Sequence, residues 1–293
     1  MAIYSIKDIE HLSGIKAHTI RIWEKRYNIL EPKRTDTNIR YYDDEDLKRI
    51  LNISVLNKYG YKISRIASLP EEKLNRELLN VTQKSGKVDG QIESLIVAMI
   101  DFDEPKFDKV FTKALMSYGF EDTIIKIIYP FFEKIGILWT TGNINPAQEH
   151  FISNLIRQKL IVAIDDLPES NGKDSHNFVL FLPEGEWHEL GLLFFTYIIK
   201  KNGHRIIYLG SSLPVDSVLD LDKYTNFTSM VTTVKTSITS LSLPAYLTSL
   251  AEKFADKTIY LLGAKSMVDE ADYPNNIILP ENLQDFKAAL ANL

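Results

Sequence analysis

The sequence predicts a multidomain α and α/β chain: an N-terminal winged helix-turn-helix, a central helical bundle and a C-terminal doubly wound parallel sheet of Rossmann-like form. Three observations carry that expectation. Apolar residues recur at three and four up to about residue 168, then change to short continuous runs after residue 175. Those later runs alternate with helical segments, the pattern that builds a parallel sheet covered on both faces. Lys16 to Arg40 holds seven basic and three acidic residues, a net of +4 in a chain whose total is −5. Such a division points to a polyanion-binding module joined to a part that binds something else.

Length and composition bound the rest. At 293 residues, two or three compact units are expected, and 45% hydrophobic with 25% charged residues is the balance of a soluble globular protein. Cysteine is absent, which removes disulfides, cysteine-ligated metals and thiol catalysis. The first residues carry Lys7, Asp8 and Glu10 with no apolar signal core, and no stretch is long enough to span a bilayer. A cytoplasmic protein without a membrane partner is expected.

In chain order, Ser5 can cap a helix with Ile6, Ile9 and Leu12 on one face, ended by Gly14. A second helix over Ala17 to Tyr27 turns Ile20, Trp23 and Tyr27 inward. His18, Thr19, Arg21, Lys25 and Arg26 are left for the other faces. Two short helices around a glycine turn, the second one basic, have the form of a helix-turn-helix. Pro32 to Tyr42 reads as strand, polar turn and strand with cationic ends, a wing suited to a phosphate backbone. Asp43 to Asp46 then begin another helix with acids where its N-terminal dipole favours them.

The next zone has helical stripes at Ile92-Leu95-Ile96-Met99 and Phe107-Val110-Phe111-Ala114-Leu115. Lys84-Ser85-Gly86-Lys87 is a plausible break near its start, and Pro168 to Ser175 a linker at its end. Strands are expected at Phe178–Leu182, Arg205–Leu209, Met230–Val234, Thr258–Leu262 and Asn276–Leu279, with helices over 190–201, 245–254 and 283–290. The domains are thus 1–75, 76–170 and 175–293.

Ligands of such sheets bind outside the carboxyl ends of the strands, where Glu186-Trp187-His188-Glu189-Leu190-Gly191 stands. A neutral imidazole at His188 can ligate a metal through one nitrogen while Glu186 accepts a hydrogen bond from the other. Gly191 leaves room for a large ring. Alone, a histidine after a strand is more commonly a loop residue. Here the second strand runs into Gly210-Ser211-Ser212-Leu213-Pro214, which could line a ligand tail, and the fourth ends at Gly263-Ala264. In the middle zone Trp139 precedes the pair Glu149-His150, which stands at a helix start. By itself Trp139 reads as a bundle plug and Glu149 as a partner of the helix dipole.

These motifs carry resemblances. Ile20 to Tyr27, Leu30 to Arg34 and Arg40-Tyr41-Tyr42 with Asp46-Leu47 resemble the DNA-binding domain of the MerR family over about the first 70 residues. That implies double-stranded operator DNA as partner. The helix around Thr19 and Arg21 would lie in the major groove, with Arg34, Arg40 and Tyr41 on phosphates and His18 and Lys25 beside them. E-x-H-x-x-G, S-x-L and Gly-Ala occur in the order of cobalamin-binding domains of the methionine synthase and mutase type. The usual pattern begins with Asp and ends in Gly-Gly, so Glu186 and Ala264 depart from it. The spacing from Trp139 to Glu149-His150 resembles the helical cap of the cobalamin-dependent photoreceptor repressors of the CarH and LitR type, and that likeness extends over the chain.

The resemblance implies cobalamin, as adenosylcobalamin or methylcobalamin, with His188 as cobalt ligand and Glu186, Gly191, Ser211, Leu213, Gly263 and Ala264 around it. Trp139, Glu149 and His150 would be upper-face contacts. It further implies a homo-oligomer, dimer or tetramer, whose assembly and DNA affinity respond to the cofactor and to light. The residue after the tryptophan is a histidine in well-known members and is Thr140 here, so capture of cobalt by a second histidine is absent or uses another residue. The expectation is a repressor and not an enzyme. The alternative is a MerR-like regulator whose cobalamin-type domain has lost the cofactor and serves protein interaction. A corrinoid methyltransferase fragment is weaker than either, since no substrate domain or nucleophile is evident.

Overall fold

The computed structural model describes residues 4–35, 38–70, 73–74, 77, 88–140, 145–169, 175–234, 243–263 and 273–293, with only the backbone at 137–140 and 222. The chain divides into two compact units, Met1–Leu155 and Ile156–Leu293.

In the first unit, helix α1 (Ile6–Ser13) begins at Ser5, whose hydroxyl accepts from the Asp8 amide while the Asp8 carboxylate accepts from the Ser5 amide. This reciprocal capping satisfies two donors the helix cannot pair internally. Gly14, at φ +70°, closes it in the left-handed conformation. Helix α2 (Ala17–Tyr27) buries Ile20, but Trp23 and Tyr27, expected inward, are only half-buried. The helix lies against α1 and α4 (Ile63–Ala67). Strands β1 (Lys33–Arg34) and β2 (Arg40–Tyr41) pair antiparallel as the expected wing, with Lys33 opposite Tyr41 and Arg34 opposite Arg40. Helix α3 (Asp44–Lys58) starts from Asp43, whose side chain accepts from the amides of Glu45 and Asp46.

The remaining helices of this unit are α5 (Val88–Ile100), α6 (Glu104–Tyr118), α7 (Phe120–Thr123), α8 (Tyr129–Thr140) and α9 (Pro146–Asp165), which runs on into the second unit. The expected stripe on α5 is present, yet the helix is buried on almost every side, Gln91 and Glu93 included. On α6, Phe107, Phe111 and Ala114 are buried, whereas Leu115 and Met116 are exposed. A π-helical turn, Ile124–Ile128, joins α7 to α8 just before and around the carbonyls that Pro130 disturbs. Proline has no amide hydrogen and its ring crowds the carbonyl four residues back, so a widened turn relieves both.

The second unit contains β3 (Asn177–Pro183), α10 (Glu189–Lys201), β4 (Arg205–Leu213), α11 (Val215–Leu219) with a 3₁₀ turn (Asp220–Lys223), β5 (Ser229–Thr233), α12 (Leu243–Lys253), β6 (Thr258–Leu262), β7 (Ile277–Ile278) and α13 (Leu283–Ala291). The sheet is all parallel in the order β4-β3-β5-β6-β7. Alternate residues of β3 serve opposite faces. Val179 and Phe181 join Met230, Leu247, Leu250 and Phe254 in one core, while Phe178 meets Tyr260, which stacks edge-on to Phe286. Burial on both faces is what a doubly wound sheet requires.

Two strands differ from expectation: β7 keeps only Ile277–Ile278 of the expected Asn276–Leu279, and β4 is longer. β4 continues through Gly210-Ser211-Ser212 to Leu213, because its register against β3 slips from Leu180 opposite Tyr208 to Phe181 opposite Gly210 and Pro183 opposite Leu213. The small residues are taken up as bulges within a strand, so their turn-like composition is satisfied without ending it.

Candidate DNA and cobalamin sites

Helix α2 presents His18, Arg21, Lys25 and Arg26 exposed and Thr19 half-buried. Its inner side is fastened by Glu24, which accepts from the Tyr42 hydroxyl at 2.6 Å and faces Arg40 Nε at 3.6 Å. Arg40 is therefore partly committed inside the head. Arg34 is exposed, and its guanidinium donates to Asn38 Oδ1 at 2.7 Å across the wing turn. Tyr41, next to Arg40 in sequence, is half-buried. Lys33 is tied to Asp43 at 2.8 Å, so the wing and the α3 cap hold one another. The result is a basic helix face and a stiffened basic wing on one head, the electrostatic arrangement suited to duplex DNA.

In the second unit the loop after β3 is built around His188. Its Nδ1 lies 2.6 Å from Glu186 Oε1, which also accepts from the His188 amide at 3.0 Å. Because a carboxylate only accepts, Nδ1 carries the proton and Nε2 of the neutral ring keeps its lone pair. Glu186 is buried to 2% exposure, whereas the imidazole is 54% exposed. Ser212, at φ +54°, locks this loop to the end of β4: its hydroxyl accepts from the Gly185 amide and its amide donates to the Glu186 carbonyl. Sequence reasoning named Ser211 and Leu213 and passed over Ser212. The signal was a second hydroxyl in the same run, but only the bulged register shows which one turns toward the loop. Leu213 is half-buried and packed against the core, and Ser211 is half-buried.

Behind His188, Glu189 at the start of α10 accepts from the Tyr208 hydroxyl at 2.7 Å and pairs with Arg157 at 3.0 Å. Burial, then the Glu189 hydrogen bond, drives the Tyr208 hydroxyl well above its ordinary range, so it stays protonated as a donor. A Cβ added at Gly191, in the first turn of α10, or at Gly263, just after β6, would meet nothing within 4 Å among the described residues. Ala264 lies outside the described residues, as do the side chains of Trp139 and Thr140. In the first unit Glu149 is half-buried and accepts from Ser153, and His150 is exposed near the start of α9. Asn145 caps that helix by accepting from the Ala147 amide, while Gln148 accepts from the Asn145 amide and donates to the Ile100 carbonyl.

Among the described residues, no helix is long and apolar enough to cross a membrane.

Comparison with known proteins bears on the N-terminal head and on the helical zone that follows it. Residues 4–73 match the model of the MerR HTH family regulatory protein, and residues 91–163 match that of the B12 binding domain. The chain is 27% identical over 221 residues to the HTH-type transcriptional repressor CarH of Myxococcus xanthus, covering 73% of each chain. It is 25% identical over 211 residues to CarA, another HTH-type transcriptional repressor of that organism, covering 71% of this chain and 68% of CarA. The solved monomethylamine corrinoid protein of Methanosarcina barkeri superposes with a TM-score of 0.54 at 19% identity, over 68% of this chain and 96% of that one, which is a likeness of fold. The chain thus joins a MerR-type helix-turn-helix head to a B12-binding type of domain, and the relatives it resembles along most of its length are transcriptional repressors, not enzymes.

Proposed function

We propose that the protein is a transcriptional repressor whose affinity for operator DNA and state of self-association are set by cobalamin, and that illumination of the loaded chain changes both. Residues 1–75 read DNA through His18, Thr19, Arg21, Lys25, Arg34, Arg40 and Tyr41. Residues 76–170 form a helical cap with Trp139, Glu149 and His150, and residues 175–293 hold the cofactor with Glu186, His188, Gly191, Ser211, Leu213, Gly263 and Ala264. The observation that carries this reading is the Glu186–His188 pair, in which a buried carboxylate fixes the tautomer of an exposed imidazole whose other nitrogen is free to ligate. These residues fit a corrinoid: the imidazole is oriented and exposed, and Gly191 and Gly263 present no side chain. Cobalamin, when bound, supplies a cobalt centre with a light-sensitive upper ligand. Thr140 would offer cobalt a poorer donor than an imidazole, so among the cap residues named His150 would be the one able to hold the metal.

The test is an absorption spectrum of the chain mixed with adenosylcobalamin and passed through gel filtration in the dark. Wild type should retain the cofactor with an imidazole-dependent spectrum. His188→Ala should lose that signature and release the cofactor, while its cofactor-free operator binding stays unchanged. Equal retention with identical spectra would make His188 an ordinary loop residue. Cofactor-free elution of wild type would remove the cobalamin reading altogether.

A further inference from the structure

Among the described residues of the head, the large apolar side chains left exposed are Ile22, at 48%, and Ile39, at 63%. Both sit on the elements that carry the exposed cations, one on α2 and one in the wing turn. The position of Ile22 on its helix is informative. Ile20 is in the core, Trp23 is half-buried, and Glu24 is held inside by Tyr42 and Arg40, so the inner face of α2 is accounted for. The outer face follows the helical spacing 18, 21, 22, 25, 26, and on it Ile22 is ringed by His18, Arg21, Lys25 and Arg26, all exposed. A surface isoleucine needs no special explanation when it stands alone. One set in the middle of four basic or imidazole side chains on the second helix of a helix-turn-helix does, because a partner that satisfies it must combine dense negative charge with a small apolar spot.

Duplex DNA offers that combination in one place. In the major groove each thymine displays its C5-methyl between phosphate walls, and that methyl is the apolar feature that separates thymine from the other three standard bases. We propose that Ile22 is a specificity-determining residue that reads thymine by packing against this methyl, while the surrounding cations hold the phosphates. The inference rests on the DNA-reading role of the head and adds to it the base that this position selects. Burying one methyl group against Ile22 should be worth about fourfold in affinity per contacted thymine, the equivalent of ~0.8 kcal/mol.

The experiment first selects a preferred duplex from a random pool with the full wild-type chain. It then replaces each dT of that site in turn by deoxyuridine, which lacks only the methyl. Wild type should lose about fourfold at one thymine, or at its symmetry-related pair. Ile22→Ala should bind the parent duplex about fourfold more weakly per contacted thymine and lose nothing further at that same deoxyuridine. Should Ile22→Ala not fold, Ile22→Val keeps the test alive, with a smaller loss at the same position. No loss at any position in wild type, or the same loss in wild type and variant, overturns the assignment of Ile22 while leaving DNA binding intact. Failure of wild type to enrich any sequence overturns the DNA-reading role itself, and Ile22 with it.

Discussion

At the scale of single residues, two arginines of the wing illustrate how the same charge can do different work. Arg34 is exposed and, among the described residues, hydrogen-bonds to Asn38 of the wing turn, so its guanidinium can meet a phosphate without leaving a buried charge behind. Arg40 stands against Glu24, which is nearly buried and already accepts from Tyr42. Arg34→Ala should therefore weaken DNA binding, lower the slope of log affinity against log salt by about 1, and leave the melting temperature unchanged. Arg40→Ala should also cost about 1 kcal/mol of stability in urea unfolding, since it strips a counter-charge from Glu24. Equal stability losses for the two variants would show that the Glu24 pair does not brace the wing. The sequence could place both arginines on cationic strands, but not their difference, because Glu24 lies on another element and its burial depends on how α2 packs. His188 and Glu186 were legible for the opposite reason: they are two residues apart, and local spacing alone permits their bond.

Among the elements, those specified by their own residues were read correctly, and those specified by their neighbours were not. Helices α1 and α3 announce themselves through Ser5, Asp8, Gly14 and Asp43, and the buried strands through unbroken apolar runs. The end of β4 was hidden because Gly210-Ser211-Ser212 has turn composition and becomes strand only by bulging against β3. Helix α5 was read as amphipathic, yet it is surrounded, and the carboxylate of Glu93, 1% exposed, is enclosed with Lys58 Nζ at 2.7 Å and Ser54 Oγ at 3.4 Å. Burial dominates there and raises the Glu93 pKa, while the Lys58 hydrogen bond and charge oppose it without cancelling it. A carboxyl whose folded pKa is raised contributes stability in full below its unfolded value and loses it as pH rises through the folded value. Glu93→Gln has no such loss. Its stability relative to wild type should therefore climb from the ordinary carboxylate range up to the raised pKa and then level off, as read from urea unfolding across pH. A constant difference across that window would mean that Glu93 titrates as though it were solvated. Because the Ser54 hydroxyl donates to the carbonyl of Ser13, the last residue of α1, this cluster ties α5 to the start of the turn of the DNA-reading motif.

For the whole molecule, the proposed control of DNA by cobalamin carries a thermodynamic obligation. A ligand shifts a protein between states only by its difference in affinity for them. If cobalamin changes operator affinity by some factor, operator must change cobalamin affinity by the same factor, whichever residues transmit the effect. Coupling of the usual size would make that factor about 5 to 150. A helix-turn-helix reader of a two-half-site operator also needs at least two chains on one duplex, so self-association belongs to the same equilibrium. Ultracentrifugation with excess protein should give two or more chains per operator, and dark titrations of adenosylcobalamin with and without saturating operator should return the factor found from DNA titrations with and without cofactor. One chain per operator would overturn the oligomeric reading. A cofactor that binds equally well with and without operator would leave the chain a cobalamin protein and a DNA protein with no coupling between the two, and cobalamin could not then be its regulatory signal.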